Sequence, residues 1–534
     1  MRKLTRLFCL LMALTMLWGC GPSVEEQIDR ITALGQSPDD HYRAWYEIFV
    51  YSFCDSNGDG IGDLQGVRSK LDYLQELGIT GIWLMPIHPS TSYHKYNVSD
   101  YYAVDPTYGS IEDFEELLAD CHGRGIKVIL DLVVNHCGSA HPWFAQVQAY
   151  VSSLKKGERP DPAQCPYVEF FNITEEFQAG YKEIGASGKY YECRFSSSMP
   201  DLNLDEPAVR QEIRDIMAFW LSKGVDGFRL DAAKEYWTGN ADKNIEVLSW
   251  IQNAALELKP DVYLVAEVWD TFGEITKYYT SGITSLFDFP FANTDGKIVS
   301  VLRGAGNGSV VSTYATALEK ADKAYLGSNE SYIDAPFLSN HDVGRTAGFV
   351  SQDENKTKLA GAMNLFMGGS AFIYYGEEIG MVGSGNDPSK RAPMYWNTAR
   401  DDGTTQAPPE CVLPDSYPFG SLEEQQKDEL SVFNYYRQAI AIRNALPQIS
   451  HGRTMAETAL NRGCVSAQRK IWNDQECIIL MNIHGEEAMV DLSGYEKWSL
   501  AATLTVNKES VEEKSSSLML PPWAVAILIP AQGS

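Results

Sequence analysis

The sequence predicts an α/β protein: a (β/α)8 (TIM) barrel with a small subdomain inserted after its third strand and a C-terminal antiparallel β-sandwich. Three observations predict it. Short, near-continuously apolar segments alternate with helical patterns over roughly 400 residues, as parallel strands buried on both faces require. Several of these strands end in polar or acidic clusters, the place where barrels of this kind carry their reacting groups. After Leu446 the helical pattern stops and short strands follow one another.

The chain begins with Arg2, Lys3 and Arg6, then an apolar run from Leu7 to Trp18. That run is shorter than the ~20 residues a membrane span needs, so residues 1–19 read as a signal peptide. Its end, Leu17-Trp18-Gly19-Cys20, resembles the lipobox of bacterial lipoproteins. The resemblance implies that Cys20 carries the lipid and that the protein is exported. It would sit on the outer face of the bacterial cell membrane, touching it through that N-terminal lipid alone, or be secreted. Residues 20–40 are polar with Gly and Pro and read as a tether with room for a short helix.

The barrel is expected over 41–136 and 201–447. Residues 45–53 (WYEIFVYSF), 79–87 and 126–134 read as strands, with helices over 67–78 and 111–125 between them. The 137–200 stretch is rich in Gly, Pro and aromatics and lacks a further strand–helix unit, so it reads as the inserted subdomain. Helix and strand patterns resume with AVRQEIRDIMAFWLSKG, VDGFRLDAA, VYLVAEVW, APFLSNHD, KTKLAGAMNLFMGG and AFIYYG, and a long helix covers 431–446. Residues 448–534 are expected to form the β-sandwich.

Composition narrows the partners. The 534 residues are 44% hydrophobic and 22% charged, ordinary values for a globular chain, with a formal net charge of −27. Such a surface excludes a phosphate backbone, and so nucleic acid, and disfavours anionic membranes and acidic polymers. A neutral substrate remains, and aromatic side chains at 11% suit stacking on sugars. Ten cysteines occur with no CxxC pair, which argues against a zinc or dithiol redox site. Export permits disulfides among them.

Three strand ends supply carboxylates: Asp231, Glu267 and Asp342. Two carboxylates ~5–5.5 Å apart can hydrolyse a glycosidic bond with retention, one as nucleophile and one as acid/base. Arg229 stands two residues before Asp231 and therefore on the same face of a strand. A neighbouring guanidinium suits a carboxylate that must attack. Glu267 has apolar neighbours and Trp269, so burial would keep its proton available for a leaving oxygen.

These clusters resemble the signature regions of the α-amylase family of glycoside hydrolases. DLVVNH (131–136), GFRLDAAK (227–234), EVWD (267–270) and FLSNHD (337–342) match four regions in the family's order, MPDLN (199–203) matches a fifth, and GITGIWLMPI (78–87) another strand signature. The resemblance runs from about residue 42 to the C-terminus. It implies Asp231 as nucleophile, Glu267 as general acid/base and Asp342 as the third carboxylate, which binds substrate hydroxyls. It implies Arg229 beside the nucleophile, His136 and His341 on the sugar at the cleavage point, and Tyr96 stacking on that sugar. The family usually carries Asp where this chain has Asn97.

Asp55, Asn57, Asp59 and Asp63 occupy positions 1, 3, 5 and 9 of a loop with Gly60 at position 6, like the first part of an EF-hand; position 12 is Gly66 instead of the bidentate Glu. Family members carry a similar calcium loop after the first strand, which implies Ca2+ held by these residues and the Ile61 carbonyl. A second family site would use Asn135 and a His where this chain has Glu235.

Within the family, MPDLN, YYGEEIG (374–380) and KRAPMYW (390–396) resemble the group between oligo-1,6-glucosidases and neopullulanases. Lys234 resembles endo-acting α-amylases, where it contacts the sugar past the cleavage point. The expected activity is α-amylase: cleavage of α-1,4-glucosidic bonds of starch and maltooligosaccharides. Neopullulanase, oligo-α-glucosidase and 4-α-glucanotransferase are the enzymatic alternatives. A surface glucan-binding lipoprotein without activity is the non-enzymatic one, against which the three surviving carboxylates argue.

Overall fold

The computed structural model describes residues 23–401 and 403–531; residues 1–19 and Cys20 lie outside the described residues. Eight parallel strands form the central sheet: β1 (Ala44–Ile48), β2 (Gly81–Leu84), β3 (Lys127–Leu132), β4 (Gly227–Leu230), β5 (Tyr263–Ala266), β6 (Ser285–Phe287), β7 (Ile333–Ala335) and β8 (Ala371–Tyr374). Each pairs with its neighbour in chain order, and β8 returns to pair with β1. The remaining seam, between β7 and β8, closes through the Ser370 N–H on the Asp334 carbonyl (2.7 Å) and the Phe372 N–H on the Pro336 carbonyl (2.8 Å). The sheet is thus a barrel.

Strand alternation decides what fills it. Trp45 lies inside, stacked on Tyr263 (ring centroids 5.2 Å) and Phe372 (5.9 Å). Gly81, its register partner on β2, leaves room for that indole, since a Cβ there would come within 2.4 Å of the ring. Further along the strands the interior turns polar: Glu47 is in register with Trp83, and Asp131 with Arg229 two residues beyond, and all four are buried. Around the barrel, helices start where caps satisfy their first N–H groups. Ser110 and Asp113 form a capping box before Ile111–Gly123, Pro207 opens Pro207–Ser222, and Asn240 caps Ala241–Leu258.

Several expectations are corrected. The strand read over 45–53 stops at Ile48, and Val50–Phe53 makes one helical turn instead, turning the chain back toward the loop at 55–63. The helix read over 67–78 is two, Leu64–Ser69 and Leu71–Leu77. In APFLSNHD the strand lies earlier, at β7. Pro336 has no N–H to continue the ladder, and FLSNHD forms the turns that follow. The short helix for which 20–40 had room is present as Val24–Thr32, docked on the barrel, with a Ser23–Glu26 capping box, Val24 and Ile31 buried, and Glu25 paired to Arg437 at 2.8 Å. An amphipathic segment with a buried face and an ion pair is part of the folded body.

Between β3 and β4, Pro142–Ser153 is helical and three short antiparallel strands follow (Ile173–Thr174, Tyr181–Glu183 and Tyr190–Glu192). Beyond the barrel, a five-stranded antiparallel sheet and a three-stranded one share an apolar core that includes Leu480, Val490, Leu518 and Leu528. No disulfide links the eight described cysteines. Among the described residues no helix is long and apolar enough to cross a membrane.

Candidate active site

At the C-terminal ends of the strands opens a cavity of about 810 Å3. Asp231, Glu267 and Asp342 line it, with Tyr96, His136 and Lys234. Arg229 and His341 are buried beside them. All eight catalytic and sugar-binding candidates therefore gather in one place, although they come from segments 246 positions apart at the extremes.

Arg229 organises the floor. Its Nη1 donates to Asp131 Oδ1 (2.8 Å) and Asp231 Oδ1 (2.7 Å), and its Nη2 to Glu267 Oε2 (2.7 Å). The guanidinium lies over the Trp83 ring at 5.1 Å. Fully buried, it is stabilised as a cation by the carboxylates around it. Glu267 also accepts the Ala232 N–H at 3.1 Å. Ala232 stands in the left-handed region, φ +49°, a strained backbone right after Asp231. Burial pushes Glu267 up to about 7; Arg229 opposes the shift, while Asp231 and Asp342 add to it. Near neutral pH about half of it is therefore a carboxylic acid able to give a proton. Burial likewise raises Asp131, to about 6.

Tyr96 donates to Asp131 Oδ2 (3.0 Å) and stacks on His341, centroids 5.5 Å apart. Burial and the nearby acids hold its phenol well above the usual range. His341 Nε2 meets Asp342 Oδ2 at 2.8 Å. Burial alone would push this imidazole down; Asp342 and Glu47 override it and raise it to about 10. For Asp342 burial acts upward, but His341 and Arg391 hold it well below the usual carboxylate range. His136 is fixed by its Nε2 against the Tyr96 carbonyl (3.2 Å), and burial pushes it down, toward the neutral ring. Lys234 sits at the rim, bound to the Trp269 carbonyl (3.1 Å) and Asp270 (2.9 Å).

Sequence reasoning passed over other members of the site. Asp131 lies within the quoted DLVVNH, one rung across the sheet from Arg229. Arg391, within KRAPMYW, donates to Asp342 Oδ1 (2.9 Å) and Tyr93 OH (3.0 Å). Glu47 was legible as a carboxylate in an otherwise apolar buried strand. Phe195 and Trp269, each about half exposed, stand on the cavity wall, Trp269 stacked on Phe289. No local pattern marks Phe195.

The loop at 55–63 folds as linked Asx turns. Asp55 accepts the N–H groups of Asn57, Gly58 and Gly60, Asn57 that of Asp59, and Asp59 that of Ile61. Asp63 accepts from Ser56 and Gly66. Asn57 Oδ1 and Asp59 Oδ1 each take one turn bond, and in Asp55 and Asp63 one oxygen takes two while Oδ2 takes one, so each side chain keeps a lone pair for a hard cation, and an all-oxygen donor set suits calcium. The side chains are not gathered into a cluster of three or more acidic, His or Cys ligands among the described residues. At the second position, Glu235 is bound by Arg194 at 3.0 Å.

Comparison with known proteins agrees with this geometry. The model of the α-amylase catalytic domain matches residues 47–452. Alpha-amylase 3 of Dictyoglomus thermophilum is 36% identical over 91% of this chain and 93% of its own. The alpha-amylase SusG of Bacteroides thetaiotaomicron is 27% identical over 88% of each. Among solved structures, Eubacterium rectale Amy13B superposes with a TM-score of 0.91 at 42% identity, covering 96% of this chain and 99% of that one.

Proposed function

The chain belongs to the α-amylase family of glycoside hydrolases, and we propose that it cleaves α-1,4-glucosidic bonds of starch and maltooligosaccharides with retention at the anomeric carbon. Asp231 attacks that carbon while Glu267 protonates the departing glycosidic oxygen. The glycosyl–Asp231 ester is then opened by water, with Glu267 acting as base. Asp342 and His136 bind hydroxyls of the sugar at the cleavage point, His341 holds Asp342 in place, Tyr96 stacks on the sugar ring, and Lys234 meets the sugar beyond it. The observation that carries this reading is the single guanidinium of Arg229, which joins Asp231 (2.7 Å) and Glu267 (2.7 Å), with burial raising Glu267 into the range where an acid can give and take a proton. The names of the similar proteins support α-glucans as the substrate class.

The proposal includes Ca2+ on Asp55, Asn57, Asp59, the Ile61 carbonyl and Asp63, and export with lipid on Cys20. Mass spectrometry of the N-terminal peptide from cells would show an acylated Cys20; an unmodified or uncleaved N-terminus would remove the anchor.

Product sizes from soluble starch and from short maltooligosaccharides, followed in time with calcium present, test the activity. An early spread of intermediate oligosaccharides establishes an α-amylase. Glucose released mainly from short oligomers moves the chain to the oligo-α-glucosidase side. Glucan binding without turnover would overturn the enzymatic reading.

A further inference from the structure

We infer that Glu47, on β1, is a positioning residue that holds His341 as an imidazolium and through it fixes Asp342. The geometry requires two donors on one ring. His341 Nδ1 lies 2.6 Å from Glu47 Oε1 and Nε2 lies 2.8 Å from Asp342 Oδ2. A neutral imidazole has one N–H and cannot donate to both carboxylates; the imidazolium can. The Glu47 and His341 side chains are at most 2% exposed, so water supplies neither with a partner. Glu47 lines no part of the cavity and does not reach a sugar.

The surroundings favour the ion. Tyr96 OH lies 2.8 Å from Nε2 and gives its own proton to Asp131, so it can accept from the ring. The Trp83 ring meets the imidazole edge-on at 5.7 Å. The cations nearby are spoken for: Arg391 is bound to the His341 carbonyl (3.0 Å) and to Asp342, and Arg229 to Asp131, Asp231 and Glu267. His94 is held neutral near neutral pH by burial and by Arg391. Glu47 thus supplies the charge that keeps the second nitrogen protonated. Asp342 is then a fully ionised carboxylate, oriented by one imidazolium and one guanidinium, and ready to accept from sugar hydroxyls.

The inference rests on the proposed role of Asp342, but its test reads the ring directly. Nitrogen NMR on histidine-labelled protein, with the His341 signals assigned from a His341→Asn variant, gives the protonation state across pH 5–9. The expected result is an imidazolium throughout in the unaltered enzyme, and deprotonation inside that range in Glu47→Gln, whose amide keeps the hydrogen bond without the charge. If the imidazole falls to its ordinary value near 6.5, about nine-tenths of it is neutral at pH 7.5, so kcat/KM relative to the unaltered enzyme should drop about tenfold between pH 5.5 and pH 7.5. A neutral His341 at pH 7 in the unaltered protein would overturn the inference, whatever the variant does. So would an unchanged midpoint in Glu47→Gln, or an activity loss equal at both pH values.

Discussion

Replacing Arg229 by Lys tests the centre of the site. The guanidinium uses two nitrogens in two directions, Nη1 toward Asp131 and Asp231 and Nη2 toward Glu267, each at 2.7–2.8 Å. An ammonium is a point donor on a different stem and cannot keep both directions. If it stays with the Asp131–Asp231 side, the bond to Glu267 is lost. A hydrogen bond to a charged group contributes ~1.5–3 kcal/mol, so kcat/KM should fall about 10- to 150-fold. The pH profile supplies a second readout. Glu267 stands at about 7 because burial lifts it while Arg229 restrains it. With the cation further away the restraint weakens, the acid keeps its proton to higher pH, and the alkaline limb of kcat/KM should move up even as the maximum falls. Initial rates on maltooligosaccharides from pH 5 to 9, with the melting temperature as a control for folding, measure both. An alkaline limb that moves down, or a rate within twofold of the unaltered enzyme, would refute the argument that one guanidinium sets the geometry and the acidity of the pair.

Three other outcomes are expected. Asp201, buried and accepting the Arg194 N–H at 2.9 Å, is pushed up to about 7 by burial. Its folded value lies above the ordinary 3.8, so the neutral acid stabilises the fold at low pH and that contribution disappears as pH rises from about 4 to 7. Asp201→Asn should remove on the order of 2–4 kcal/mol of that pH dependence, read as the gap between melting temperatures at pH 4 and pH 8 in the two proteins. Calcium at a hundredfold excess over its dissociation constant should add ~2.7 kcal/mol of stability; the rise in melting temperature should vanish with a chelator and in Asp55→Ala, and a rise that survives in Asp55→Ala places the ion elsewhere. Gly81→Ala drives a methyl to 2.4 Å from the Trp45 ring and should cost ~1–3 kcal/mol of stability by overpacking, visible in denaturant unfolding.

Much of the site was legible because its chemistry is local in the chain. The spacing Arg229-Leu230-Asp231 puts both charged groups on one face of β4, and the structure places them 2.7 Å apart. Asp231, Glu267 and Asp342 each follow an apolar strand or its turn, so strand ends point to them directly. The strand boundaries were less legible. Residues 49–53 continue an apolar run that fits a strand, yet Ile48 is the last residue of β1 with a sheet neighbour and the chain turns into a helix. Ser285–Phe287 is three residues long, below what periodicity can register, although it completes the barrel. Val24–Thr32 carries an amphipathic pattern behind a Ser23–Glu26 capping box, but its docking against Val432–Ala445 depends on a partner more than 400 residues away in the chain.

The sequence by itself determined the barrel class, seven of its eight strands in order and the identity of the reacting carboxylates, since these depend on alternation, apolar runs and i, i+2 spacing. Only the tertiary structure decided which groups share a proton or a charge. Glu47 and His341 are 294 residues apart and meet at 2.6 Å because β1 and the turn after β7 end on the same rim of a closed sheet. Their burial takes them out of water, where a charge persists only beside its partner. Protonation at this site is therefore set by distances that chain position does not encode.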